Sequence, residues 1–279
     1  MLDENLDDMK IDGQYELEKM FSKYQLIECL TQAFKDAEFP VSLAEDNIPE
    51  DFGISMLVQM ALHKRADITV LVGLHKRYFD SHADPHQACA DMVLAMLEKA
   101  YFEWDPDSEK VIVEYEISPE MQMMIDRYQY PMPMVVEPNE VSNNRDTGYL
   151  TIKGSLILRN NHHSGDICLD HINRMNQVPL GINTTVVAFV RNQWKNLDHR
   201  KPDETKEDFE KRLRAFEKYD TTSRDVLDAL LSYSETFWLT HKYDKRGRTY
   251  AQGYHVNYQG NDWNKACIQF AEPELLNKE

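Results

Sequence analysis

Apolar residues recur at helical spacing along the first third of the chain. Leu17, Met20, Phe21, Tyr24, Ile27, Leu30 and Phe34 fall on one stripe and predict a helix over residues 15–38. Pro40 and Pro49 bracket an expected loop. Residues 52–64 and 85–102 read as further helices, the second turning Cys89, Met92, Val93, Met96 and Leu97 inward. A helical domain over residues 1–110 is the expectation. The period then shifts to two: residues 111–117 alternate and predict a strand. A short helix is expected over 121–130. Pro131, Pro133 and Pro138 enforce extended chain, and 148–158 reads as a strand or hairpin, which makes 111–160 a strand-containing connector. Residues 168–176, 180–196 and 221–239 read as helices within a helical region spanning 161–240. A distinct closing segment, 241–279, follows. The fold class expected is α+β, mainly helical.

One stretch fits this pattern less well. Residues 196–220 are dense with charge, and Phe209, Leu213 and Phe216 give them only a thin apolar stripe. A solvated helix laced with i,i+4 ion pairs accounts for them.

Composition narrows the class. Apolar residues make up 42% of 279, with only 10 glycines and 11 prolines, so the chain can bury a core and has few disordered stretches. No apolar run approaches the roughly 18 residues needed to cross a bilayer. The acidic start MLDENLDDMK is unlike a signal or transit peptide. Cys29, Cys89, Cys168 and Cys267 lie far apart and form no C-x-x-C pair, so packed thiols in a reducing, cytosolic setting are expected. Net charge is −17, an awkward balance for a protein that grips phosphates. The charge is unevenly spread: residues 1–110 hold 10 Lys and Arg against 23 Asp and Glu, whereas 241–265 hold five basic and two acidic residues.

That basic segment reads HKYDKRGRTYAQGYHVNYQGNDWNK. Arg246 and Arg248 flank Gly247, with Lys242 and Lys245 beside them. Two guanidinium forks suit anionic oxygens. Gly247 permits either close backbone approach or a positive φ. Tyr250 and Tyr254 offer faces for a base or sugar. A basic surface β-turn explains the same composition. Two metal-like spacings are weaker. His82, His86 and Cys89 suit one helix face, but Asp84 and Pro85 interrupt it and no fourth ligand is near. Asp166, Cys168, Asp170 and His171 cluster where a helix should begin, so no metal site is assigned to either group.

The order Asp244-Lys-Arg-Gly247-Arg248-Thr-Tyr250, followed by Gln259-Gly-Asn261-Asp262 and then Lys265, resembles a motif region of the single-subunit DNA-dependent RNA polymerases of T-odd phages and mitochondria. In that family the first element opens the palm and touches the template strand and the hybrid. The resemblance implies template or hybrid binding by Asp244, Lys245, Arg246, Gly247, Arg248, Tyr250, Gln259, Asn261 and Lys265. Asp244 would pin the turn, and Arg248 would hold a phosphate. A looser similarity covers residues 131–158 and 172–190, and it makes 196–220 a reduced thumb ahead of the first palm strands.

The family also needs two palm aspartates holding two Mg²⁺ ions, and a fingers helix for the incoming triphosphate, all downstream of the Q-G-N-D segment. No stretch here supplies them. The resemblance therefore implies either an N-terminal fragment or, as the polar, charged ending favours, the small subunit of a split, heterodimeric phage RNA polymerase, a nucleotidyltransferase that is inactive as this chain alone. A larger subunit with palm and fingers would bring the Mg²⁺ sites and share the nucleoside triphosphates. The implied partners are the DNA template and the RNA–DNA hybrid, with a single-stranded-DNA-binding accessory protein assisting loading. The implied location is the cytoplasm of an infected bacterial host, with no membrane partner. A nonenzymatic nucleic-acid-binding or regulatory protein retaining the motif remains the alternative.

Overall fold

The computed structural model describes residues 2–21, 23–113, 115–159, 161–194 and 197–272, with side chains described from residue 7 onward. Along the chain the elements are α1 (Leu2–Phe21), α2 (Tyr24–Asp36), α3 (Phe39–Glu45), α4 (Glu50–His63), β1 (Arg65–Ala66), α5 (Ile68–His75), a 3₁₀ turn (Lys76–Phe79), α6 (Pro85–Glu98), β2 (Glu103–Asp105), β3 (Lys110–Ile112) and α7 (Pro119–Arg127). Then come α8 (Leu169–Asn176), β4 (Leu180–Ile182), α9 (Thr184–Phe189), α10 (Lys206–Tyr233), β5 (Thr236–Phe237), β6 (His241–Tyr243), β7 (Thr249–Ala251), α11 (Asp262–Ala266) and β8 (Ile268–Phe270). The protein is α+β and mainly helical, with small antiparallel sheets ordered β1-β3-β2, β5-β4-β8 and β6-β7 among the described residues.

Two compact units share the chain. Residues 24–125 form one; residues 1–23 and 126–279 form the other. In the first unit, Leu26, Leu30, Leu43, Phe52, Met56 and Leu57 are sealed from water. Asp84 caps α6 by accepting from the His86 and Gln87 backbone N–H groups at 3.0 and 3.1 Å, with Pro85 in the first turn. Cys89 is buried, its thiol facing the Val72 carbonyl at 3.8 Å, and His86 lies 3.2 Å from the Lys76 ammonium.

In the second unit α1 docks through buried polar groups. Glu18, only 2% exposed, accepts from the Leu150, Thr151 and Ile152 N–H groups at 2.8, 2.6 and 3.2 Å and from the Thr151 hydroxyl at 2.5 Å. Gln14 donates to Glu18 at 2.9 Å and accepts from Val135 N–H at 2.9 Å. A buried carboxylate ringed by donors is stable only while all of them remain. Helix α10 packs its second half, Tyr219 through Leu230, inward, and Arg127 clamps it by a bidentate pair with Asp225 at 2.6 and 2.5 Å.

Several expected elements differ. The helix over 15–38 is two helices, broken where Lys23 turns left-handed (φ 65°). The loop between Pro40 and Pro49 contains α3, because Pro40 sits in the first turn, where no N–H is needed. Of the strand expected over 111–117, Val111 and Ile112 lie in β3 and Val113 N–H adds one bond to the Lys64 carbonyl at 3.1 Å; residue 114 lies outside the described residues. Residues 148–158 form turns and bends, not a strand, and only Ile157 makes an isolated bridge. The helix expected over 180–196 is β4 followed by the short α9, since Pro179 and Gly181 favour extended chain and Asn183 caps a new start by accepting from Val186 N–H. The separate segments 196–220 and 221–239 are largely one helix, α10, because no Gly or Pro interrupts 206–233; it ends before β5. Residues 195, 196, 160 and 273–279 of the expected elements lie outside the described residues.

Two predictions follow from this packing. Glu18→Ala leaves three part-buried backbone N–H groups without their acceptor and should cost about 3 kcal/mol of stability, read by urea unfolding. The second concerns His241 and His255, whose imidazoles burial pushes down to about 4. Below the ordinary histidine range the unfolded chain takes up protons that these folded imidazoles refuse. The contribution of these two imidazoles to stability should therefore fall as pH drops from about 6.5 to about 4 and level off below. A denaturation midpoint that is flat across that window would contradict this account.

Candidate nucleic-acid interface

Strands β6 and β7 form a hairpin with Lys242 opposite Tyr250. The connection is Lys245-Arg246-Gly247, closed by the Gly247 N–H to Asp244 carbonyl bond at 3.0 Å and the Asp244 N–H to Arg248 carbonyl bond at 2.9 Å. A three-residue hairpin loop of this kind needs a left-handed last residue. Gly247 provides it at φ 79°, and nothing in the protein crowds the place a Cβ would take. Its glycine is thus required by the dihedral and not by any close neighbour.

Asp244 shapes the loop from within. Its Oδ1 accepts from the Arg246 and Arg248 N–H groups at 2.8 and 3.0 Å, and its Oδ2 accepts from Arg248 Nε at 2.7 Å with Nη2 at 2.6 Å. Desolvation alone would raise this carboxyl. The Arg248 backbone and guanidinium and the Arg246 backbone overrule it and hold the group near a pKa of about 2. Arg248 also lies over the Tyr250 ring at 5.4 Å. Its fork is thus oriented from two sides, and among the described residues Nη1 is the nitrogen left without a protein partner.

A cleft of about 570 Å³ opens here. It is lined by Asp244, Lys245, Arg246, Arg248 and Tyr250 from the hairpin, and by Leu158, Arg159 and Asn161 from an earlier loop. The two parts are stitched at Tyr243: its N–H donates to the Leu156 carbonyl at 2.7 Å, and its carbonyl accepts from Leu158 N–H at 2.8 Å. Beneath them Tyr243 packs with Val141, Leu156 and Ile172. His171 faces Thr249 of β7 at 3.1 Å. Lys242 is half-buried, and desolvation depresses its pKa.

The structure gathers Asp244, Lys245, Arg246, Gly247, Arg248 and Tyr250 at one place. The rest of the predicted set lies elsewhere. Gln259 is engaged with backbone: its Oε1 accepts from Ala251 N–H at 2.9 Å and its Nε2 donates to the Thr249 carbonyl at 3.2 Å. Asn261 caps α11 by accepting from Asn264 N–H at 2.8 Å. Lys265 is exposed, 3.9 Å from Asp262. Tyr254 stacks on Tyr130 at 4.3 Å, which covers one of its faces. Arg159 and Asn161 were not predicted. They stand in a segment without charge pattern or motif, and only the fold brings them to the hairpin.

The cleft does not suit a divalent cation. Among the described residues Asp244 is its one lining carboxylate, and both oxygens are committed to the loop and Arg248. Four cationic side chains surround it, so the chemistry is that of an anion site.

No family model matches the chain. Two curated proteins do. A probable DNA-directed RNA polymerase of Agaricus bitorquis is 28% identical over 170 residues, covering 52% of this chain and 15% of the relative. A probable DNA-directed RNA polymerase of Gelasinospora sp. (strain G114) is 27% identical over 193 residues, covering 64% and 21%. The matched part spans about a fifth or less of these relatives' length. Over that part the chain is similar to DNA-directed RNA polymerases.

Proposed function

We propose that this chain is the small subunit of a two-polypeptide phage DNA-directed RNA polymerase, and that its β6–β7 turn binds phosphates of the template or of the RNA–DNA hybrid. The observation that carries the proposal is the cationic cleft, in a chain of net charge −17, built by residues of the polymerase-like motif. The similarity to proteins named as DNA-directed RNA polymerases supports the same reading.

In this proposal Arg248, held by Asp244 and Tyr250, offers its free edge to a phosphate oxygen. Lys245 and Arg246 add charge at the loop tip, and Tyr250 bears on the adjoining nucleotide. Helix α10, 28 residues and about 42 Å long, would serve as the reduced thumb, its charged first half lying along a hybrid. A larger subunit would hold the Mg²⁺ ions on its own aspartates and supply the fingers, with nucleoside triphosphates at the shared site. Weak nonspecific hold on duplex would follow from the acidic body, so loading would depend on that partner and on an accessory single-stranded-DNA-binding protein. The setting would be the cytoplasm of an infected bacterium.

Runoff transcription by the co-expressed two-subunit enzyme tests the proposal. Arg248→Ala should weaken template binding by about 1–3 kcal/mol, and Arg248→Lys should also be impaired because a point charge replaces the oriented fork. Full activity of Arg248→Ala would remove the role assigned to that residue. Purification of an active enzyme without a larger partner would overturn the split-polymerase reading.

A further inference from the structure

We infer that Arg159 is a second phosphate-binding residue, and that the loop carrying it forms the opposite wall of a site for a nucleic-acid backbone. The inference rests on reading the β6–β7 turn as a nucleic-acid contact, and it adds a phosphate beyond the one at Arg248. Three independent features support it.

The first is charge. Arg127, Arg212, Arg224 and Arg248 each pair with a carboxylate, at Asp225, Glu204, Asp220 and Asp244. Arg159 has no such partner among the described residues. It lines the same cleft as Lys245, Arg246 and Arg248 in a chain with 48 acidic side chains. Arg246 and Arg248 share Asp244, at 3.6 and 2.6 Å, so Lys245 and Arg159 bring positive charge that the lining carboxylate does not match, and an entering anion would relieve their repulsion.

The second is backbone. Arg159 sits at φ 61°, a left-handed conformation that glycine adopts freely and that L side chains adopt rarely. The turn itself does not need an arginine, since Asn161 Nδ2 holds it by donating to the Leu158 and Arg159 carbonyls at 2.9 and 3.0 Å. The guanidinium is the part of this residue that the fold leaves unused.

The third is attachment. The loop is fixed to β6 by the paired bonds of Leu156 and Leu158 to Tyr243, so the Arg159 wall and the hairpin wall belong to one scaffold. A pre-set pair of walls binds a strand with less ordering cost than two mobile loops.

The test is fluorescence anisotropy of the full chain with a labelled, mixed-sequence single-stranded oligodeoxynucleotide across a salt series. Arg159→Gly removes the guanidinium while relieving the backbone. It should weaken binding about tenfold, as expected for a charge-assisted hydrogen bond. It should also lower the salt slope by about 0.7 and leave the melting temperature unchanged or raised. Lys153→Ala, exposed on the same segment but not lining the cleft, serves as the charge control and should bind as wild type. If Arg248→Ala weakens binding while Arg159→Gly does not, the inference falls and the reading of the turn stands. If neither variant differs from the wild type, or the wild type binds neither alone nor co-purified with the larger subunit, the reading of the turn falls with it. Equal losses in Lys153→Ala and Arg159→Gly would reduce the effect to general charge. Displacement of the oligonucleotide by tripolyphosphate at equal phosphate concentration would assign the cleft to a free polyphosphate instead.

Discussion

Tyr243 is the residue on which the cleft depends. Its backbone pairs outward with Leu156 and Leu158, its ring fills the small core of Val141, Leu156 and Ile172, and its hydroxyl donates to the Cys168 carbonyl at 2.9 Å. One residue of β6 therefore joins the hairpin, the Arg159 loop and the start of α8. The bridge to Ile157 is parallel and only one residue long, too little to persist by itself. It holds because the buried ring beneath fixes the same atoms that the hydrogen bonds align.

Electrostatics explains why the arginines gather on one carboxylate. An exposed guanidinium in water has many conformers, and a phosphate must restrict them on binding. Asp244 removes part of that freedom beforehand, since it is itself locked by two backbone N–H groups and held ionised far below neutral pH. The cost is one anion inside an anion site, outnumbered by the surrounding cations. The −17 of the whole chain is compatible with this arrangement because screening confines its influence to about 8–10 Å in physiological salt.

The sequence disclosed part of this. Helical stripes located α4, α6 and α8 within a few residues, and the fold class followed from them. Asp244 and the arginines announced a tight basic turn, which it is. Short strands were misread as helix or missed because β4 and β8 have three residues each and take their stability from pairing with one another, a partner no local pattern reveals. The docking of α1 was invisible for a related reason. Gln14 and Glu18 occupy polar positions on a helix, and only tertiary structure brings them to residues 135 and 150–152. Arg159 was missed on the same grounds.

The Q-G-N-D segment shows how a motif can shape a cleft without lining it. In and beside β7, Arg248, Tyr250 and Gln252 turn backbone groups toward the β6 chain, so Thr249 and Ala251 present theirs to the open edge. The Gln259 amide meets both: its carbonyl takes the Ala251 N–H and its amino group gives to the Thr249 carbonyl, as a neighbouring strand's peptide would. Asn257 adds bonds to the Ala251 and Gly253 carbonyls at 3.2 and 2.9 Å. The two-stranded hairpin is thus flanked by the 156–158 loop on one side and by a side-chain surrogate strand on the other. An isolated hairpin is marginal in water, and these flanks supply the support it lacks. The fixed interval between Tyr250 and Gln259 is then a geometric requirement: the chain must leave β7, turn through Gly253 at φ 115°, and return within reach of one amide. Gln259 thus braces the strand that carries Tyr250 and follows Arg248, so the second half of the motif lends rigidity to the geometry of the first.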